Sequence, residues 1–171
     1  MKKIYYIMAA VLVVLSLTSL AATPASDNRN FGAHLTGDEE VPARETLAQG
    51  QATFQLSQDG TELHYKLNVA NIENVVASHI HLGPAGANGP VVVFLYGAVP
   101  PGGGRIDGRI AEGTITEADF VGPLAGQPFS ALIEAMEAGN TYVNVHTNDG
   151  VGDVNTGPGD FPGGEIRGQI R

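Results

Sequence analysis

The chain has 171 residues, no cysteine and a formal net charge of -9 at pH 7. The lack of cysteine excludes a disulfide framework, a lipid-modified cysteine and thiolate chemistry. Its 9 lysine and arginine residues are outnumbered by 18 scattered acidic residues, whereas binding to phosphate groups needs clustered cations. We therefore expect no nucleic-acid partner, and no membrane partner other than an N-terminal anchor.

The N-terminal segment has the pattern of a secretory signal peptide. Lys2 and Lys3 precede an apolar run that ends at Leu20, and Ala21 is a small residue suited to cleavage. We expect a secreted, periplasmic or cell-surface protein, divided into a signal peptide (1–21), a flexible leader (22–29) and one domain (30–171). The apolar run is long for a signal peptide, so an uncleaved N-terminal anchor is the alternative.

The rest of the chain reads as an all-β domain, because short runs rich in β-branched and aromatic residues alternate with clusters of its 23 Gly and 10 Pro. The clearest hairpin surrounds Asp59-Gly60. Eight strands are predicted, at 31–36, 52–57, 62–69, 75–82, 91–96, 109–115, 141–147 and 165–171. Strands of this number and spacing indicate a β-sandwich or barrel.

Two helical pieces are predicted to close one end of this fold. Ser130 is expected to cap a helix that ends at Gly139, and a shorter turn is expected to begin at Thr116, three residues before Asp119. Glu165 and Arg167 are predicted to lie on a solvated strand face, where an ion pair contributes little to stability. The predicted core includes Phe54, Leu63, Leu67, Val92, Val143, Val145 and Ile166.

Three histidines carry most of the information about chemistry. His79 and His81 are two residues apart in a predicted strand, so their side chains point the same way, about 7 Å apart. His146 lies in a later strand, on the same face as Asn144. If the two strands are neighbours, the three imidazoles can share a copper or zinc ion, with Asn144 holding one ring in place.

A structural role is the alternative for these histidines. In that interpretation they are hydrogen-bonded to backbone carbonyls and to the Asn144 amide, and they hold the 83–86 turn. The metal interpretation makes a prediction about pH that the structural one does not. A protonated imidazole cannot bind a metal, so metal affinity should weaken as the pH falls through about 6.5. His34 and His64 fall on polar strand faces and are expected to be solvated.

Five blocks of the chain resemble, in order and approximate spacing, the CHRD domain family, named after chordin. They are GDEEVP at 37–42, GQATF at 50–54, HIHLGPAGANGPVVV at 79–93, YVNVHT at 142–147 and FPGGEIRGQI at 161–170. The resemblance implies an immunoglobulin-like or related Greek-key β-sandwich. It also implies a noncatalytic exported module, since the family includes exported microbial proteins and the modules of chordin, a secreted binder of growth factors.

The chain departs from the family pattern at residues 148–161, which family members commonly lack. This insert carries Asp149, Asp153 and Asp160 among Gly and Asn. Such a loop can wrap a hard cation, but its spacing does not match the twelve-residue calcium loop. An exposed polar loop is therefore predicted.

Three classes of function remain open. The first is a noncatalytic module that binds an extracellular protein, a polysaccharide or a surface ligand. The second is a protein that binds copper or zinc through His79, His81 and His146. The third is a metal-dependent redox enzyme, because the His-x-His strand also resembles copper-zinc superoxide dismutase. That family uses more histidines, an aspartate and a disulfide, so the third class is the least favoured.

Overall fold

A computed structural model of the chain describes residues 30–171. The predicted signal peptide and leader, residues 1–29, lie outside the described residues. Among those that are described, no helix is both long enough and apolar enough to cross a membrane.

The described chain is dominated by antiparallel strands, as predicted. The eight strands are β1 (Asn30–Thr36), β2 (Gln49–Leu56), β3 (Leu63–Glu73), β4 (Val75–Leu82), β5 (Val91–Gly97), β6 (Arg105–Ile115), β7 (Thr141–Thr147) and β8 (Ile166–Gln169). One α-helix, α1 (Ser130–Glu137), and three short 3-10 turns, Gly37–Glu39, Glu117–Asp119 and Gly122–Leu124, complete the domain.

The strands form one continuous sheet in the order β5-β4-β7-β8-β1-β2-β3-β6. The link between β8 and β1 pairs Thr36 with Arg167, and Gly32 and Arg171 exchange two backbone hydrogen bonds beyond it. Four strands lie on each side of this junction, and both halves of the sheet contribute to one core. The sheet curves back on itself, because the Tyr65 hydroxyl of β3, the neighbour of the edge strand β6, donates a hydrogen bond to the Leu95 carbonyl of the other edge strand, β5, at 2.8 Å. The predicted sandwich is thus a single sheet that is nearly closed.

The core follows the period-two alternation of the strands. In β1, for example, Phe31, Ala33 and Leu35 are buried while His34 between them is exposed. Every residue predicted for the core is at most 2 % exposed: Phe54, Leu63, Leu67, Val92, Val143, Val145 and Ile166.

A bulge in β4 sets which of its side chains face the core. The pairing of β4 with β7 shifts register between Val75 and Ala77, and such a bulge adds a residue to one strand and changes the alternation. Val75 is consequently buried in the core although Ala77 is not. Simple alternation would place Val75 on the same face as His79 and His81, and the bulge turns it to the opposite face.

The helical segment packs on the core through the buried Leu132 and Met136. Ser130 is the first residue of α1 and Phe129 occupies the cap position without a side-chain capping bond, so the predicted capping role of Ser130 is wrong. The helix ends as predicted, with Gly139 in a left-handed conformation at φ 67°. At the predicted earlier turn, the Asp119 carboxylate accepts hydrogen bonds from the backbone N–H and hydroxyl of Thr116.

Only part of the insert at 148–161 is the exposed loop that was predicted. Residues 150–156 are exposed, but Gly159, Asp160 and Phe161 are buried. Gly159 donates its backbone N–H to the fully buried Glu165 carboxylate at 2.8 Å. The prediction of a solvated Glu165 is therefore wrong, because the returning insert covers it.

Truncation of Phe54 tests the core. Phe54→Ala is expected to lower the free energy of unfolding by about 3 to 5 kcal/mol, because it opens a cavity at a residue that is 2 % exposed. The matched control is Phe94→Ala, at a phenylalanine that is 55 % exposed, where a change of less than about 1 kcal/mol is expected. Urea denaturation measures both, and equal losses in the two variants would contradict the assigned core.

Two deletions test how the insert packs. Removal of 151–154, all exposed, should change the free energy of unfolding by less than about 1 kcal/mol, because loop length has a small entropic effect. Removal of 148–161 takes away a buried donor to Glu165 and should cost about 3 kcal/mol or more, since unsatisfied buried groups are expensive. Thermal melts compare the two, and similar melting temperatures would show that the insert does not support the domain.

Candidate metal centre

The histidines come together because β4 and β7 are adjacent antiparallel strands. In the register of this pair, His79 lies opposite Asn144 and Ala77 lies opposite His146. His146 is therefore the diagonal neighbour of His79, which is within reach of a long side chain. His81 extends the group along β4. The predicted convergence of the three histidines is what the strand pairing produces.

One ring nitrogen from each of His79, His81 and His146 lies within 4.8 Å of those of the other two. The shortest separation joins His79 Nδ1 to His146 Nε2, at 3.0 Å. Two nitrogens on a tetrahedral zinc ion are about 3.3 Å apart, given Zn–N bonds of about 2.0 to 2.1 Å. The His79–His146 pair is therefore already close to the spacing of two nitrogens on zinc. The other two nitrogen–nitrogen distances need to shorten by at most about 1.5 Å.

Backbone carbonyls fix the tautomers of two of the rings. His81 Nδ1 lies 2.8 Å from the Gly89 carbonyl oxygen, and His146 Nδ1 lies 2.8 Å from the Pro162 carbonyl oxygen. A carbonyl can only accept, so each Nδ1 carries the proton and each Nε2 keeps its lone pair. Hydrogen bonds of this kind orient metal-binding histidines. Since His146 Nε2 keeps its lone pair, His79 Nδ1 donates the proton of the contact between them. The donor set is therefore His81 Nε2, His146 Nε2 and, once its proton has moved to Nε2, His79 Nδ1.

Burial keeps these imidazoles neutral. It lowers the pKa of His81 and of His146. The pKa of His79 falls to about 4, because burial is reinforced by the neighbouring His146 and His81. A neutral imidazole is the form that binds metal. Protons are therefore expected to compete with a metal ion for these nitrogens only at a pH below 6.5, the ordinary pKa of histidine.

Two acceptors beside the site have no donor. His81 Nε2 and Asn144 Oδ1 are both buried and form no hydrogen bond of ordinary geometry. The Asn144 side chain lies near enough to His81 to favour the protonated form of that ring, although burial has the larger effect on the pKa. Buried acceptors are nearly always paired. A cation bound to His81 Nε2, with a water molecule on that cation donating to Asn144 Oδ1, would satisfy both groups. The role of Asn144 in holding a ring stays a prediction.

The other candidate residues lie apart from this site. Asp149 Oδ1 accepts the Val151 N–H, Asp153 is exposed, and Asp160 Oδ2 accepts two hydrogen bonds from Thr156. Within residues 30–171 the histidine trio is the only set of three or more His, Asp or Glu with ligand atoms close enough to hold an ion. A cation in the insert therefore stays a prediction, without converging ligands to support it.

His34 and His64, predicted to be solvated, are both exposed and do not belong to the trio. His64 Nδ1 lies 2.9 Å from the Thr114 hydroxyl on the neighbouring strand. The chain thus has exposed histidines that can serve as controls for the three in the site.

Sequence reasoning missed Arg167. Predicted to be solvated, it is 1 % exposed, because β8 lies between β7 and β1 and the loop after β4 covers it. Its guanidinium carbon lies 3.4 Å over the centre of the Tyr142 ring. Tyr142 in turn stacks on His81, with ring centres 4.8 Å apart and planes 9° apart.

Glu40 was also missed. It is 6 % exposed and its Oε1 is buried without a hydrogen bond. Burial raises the pKa of the Glu40 carboxyl to about 7, although the charges of Arg167 and Arg44 act against this rise. The only sequence signal for either residue was membership of the GDEEVP and FPGGEIRGQI blocks, since both are polar and alternation assigns polar residues to solvent.

Comparison with known proteins supports the resemblance seen in these blocks. A family model of the CHRD domain matches residues 31–170, a span that contains the histidine site and nearly all of the strand residues. Comparison with curated proteins found no match, and comparison with solved structures found none either. Because the family match covers most of the sequence, the chain belongs to the CHRD domain family.

Proposed function

We propose that this chain is an exported, noncatalytic CHRD-domain protein that binds one copper or zinc ion through His79, His81 and His146. The observation that carries the proposal is the set of three ring nitrogens within 4.8 Å of one another. In two of those rings the opposite nitrogen is occupied by a backbone carbonyl. The rings are therefore oriented before any ion arrives, which reduces the cost of binding.

A purely structural role accounts for the site less completely. Hydrogen bonds to Gly89 and Pro162 satisfy Nδ1 of His81 and His146, and the hydrogen bond between His79 Nδ1 and His146 Nε2 satisfies two further nitrogens. His81 Nε2 and Asn144 Oδ1 stay without a donor. A bound ion uses the lone pair of His81, and water on that ion can donate to Asn144.

The donors favour copper or zinc over other ions. Imidazole nitrogen suits zinc and divalent copper, whereas calcium and magnesium need several oxygen ligands. No cysteine is present to select monovalent copper. Three protein ligands also leave a coordination position for water or for a partner molecule.

Export and partner choice rest on different observations. The basic and apolar N-terminal segment supports export to a secreted, periplasmic or surface location. Membership of the CHRD family supports a binding module, with an extracellular protein, polysaccharide or surface ligand as its partner. Catalysis of the superoxide dismutase type uses two linked metals, and the described residues supply one histidine group.

Metal titration of histidine variants tests the site. His79→Ala, His81→Ala and His146→Ala should each weaken Cu²⁺ or Zn²⁺ binding by at least about tenfold, because each removes one of the three donors. His34→Ala and His64→Ala, at exposed histidines, should leave the affinity unchanged. Calorimetric titration against a competing chelator measures Kd and stoichiometry. Unchanged affinity in all three site variants would contradict the proposal.

The pH dependence of metal binding gives a separate prediction. The ion competes with protons, and burial places the pKa of His79 at about 4 rather than 6.5. Because burial also lowers the pKa of His81 and of His146, affinity should change little as the pH falls through 6.5 and should be lost at lower pH. Chelator-competition titrations across this range measure the midpoint, and a midpoint at 6.5 would show that the histidines titrate as exposed groups do.

A further inference from the structure

We infer that Arg167 is a positioning residue of this metal site. It sets the ring plane and the tautomer of His81, so that Nε2 carries the lone pair and faces the ion. The role in metal binding rests on the proposed function, whereas the positioning of His81 does not depend on a metal.

The first connection is a stack of three planar groups. The Arg167 guanidinium carbon lies 3.4 Å over the Tyr142 ring centre, and Tyr142 lies nearly parallel to His81 at 4.8 Å. A guanidinium over an aromatic face is attracted electrostatically, and parallel ring stacking is favourable as well. Tyr142 contacts both groups, so the guanidinium holds in place the ring to which His81 lies nearly parallel.

The second connection runs through the loop between β4 and β5. Arg167 donates hydrogen bonds to the Pro84 carbonyl at 3.1 Å, the Ala87 carbonyl at 2.9 Å and the Asn88 side-chain oxygen at 3.2 Å. The next residue, Gly89, accepts the Nδ1 proton of His81 at 2.8 Å. The guanidinium therefore fixes the carbonyl that selects the His81 tautomer.

Tyr142 joins the two connections. Its hydroxyl accepts a hydrogen bond from the backbone N–H of Gly89 at 3.1 Å. Tyr142 therefore contacts the His81 ring through stacking and the Gly89 peptide through its hydroxyl. His81 is thus constrained at its face and at its Nδ1 by groups that both contact Arg167. A lysine can replace the charge but not the planar fork that makes these contacts together.

A first experiment reads the ring nitrogens of His81 directly in metal-free protein by ¹⁵N NMR. Wild type should show one tautomer of His81, with the proton on Nδ1. Arg167→Lys should give a mixture of tautomers. His146, which is held by the Pro162 carbonyl, should keep its single tautomer in both proteins. His64, which is exposed, should not change either.

A second experiment measures Cu²⁺ affinity in a double-mutant cycle. Arg167→Lys should weaken binding about 10- to 100-fold, the effect typical of losing a group that orients a metal ligand. In the His81→Ala background the same change should have no further effect, because the ring that Arg167 orients is gone. In the His79→Ala background its full effect should persist. A merely structural arginine would instead weaken binding in both backgrounds equally.

Asn88→Ala covers the case in which the buried Arg167 variant does not fold. Asn88 is exposed and accepts one of the three Arg167 hydrogen bonds, so the variant loosens the same loop and should mix the His81 tautomers to a smaller extent. A single His81 tautomer in every folded variant would overturn the inference. Wild-type protein that binds neither Cu²⁺ nor Zn²⁺ would contradict the proposed function, while the NMR result would still decide the role of Arg167.

Discussion

The site depends on the pairing of β4 with β7. These strands are far apart in the chain, yet their register brings His79 and His146 into contact across a separation of 67 residues. The apolar residues on the inner face of both strands, such as Ile80 and Val143, are paired and fully buried. Because a one-residue slip would exchange the two faces of a strand, the energy of the core also fixes the register of the histidines.

A second layer lies over the outer face of this half of the sheet. Tyr142, Asn144 and Arg167 point away from the apolar core and are nevertheless at most 3 % exposed. Buried polar and charged groups are costly unless they are hydrogen-bonded. Arg167 meets this condition through three acceptors in the loop after β4. Glu165 meets it through Thr46, Thr147 and Gly159. Beside this polar layer His81 is buried and His79 and His146 are partly buried, and this burial lowers the pKa of all three.

Sequence reasoning recovered the features that depend on local alternation. It predicted the all-β fold, the strands, the core and the shared face of His79 and His81, because each follows from a period of two and from turn residues. It failed for polar residues that are buried by other segments of the chain. The burial of Arg167 depends on a loop 83 positions away in the chain. The burial of Glu165 depends on the returning insert. The inward turn of Val75 depends on a bulge that alternation does not reveal.

The most direct test of a metal site formed by these histidines is the coordination of the ion itself. X-ray absorption spectroscopy on protein loaded with one equivalent of Cu²⁺ or Zn²⁺ reports the number and type of ligand atoms around the ion. The site described here predicts three imidazole nitrogens at about 2.0 Å, supplied by His79, His81 and His146. A spectrum with oxygen ligands alone, or with the same imidazole count after His146→Ala, would contradict it.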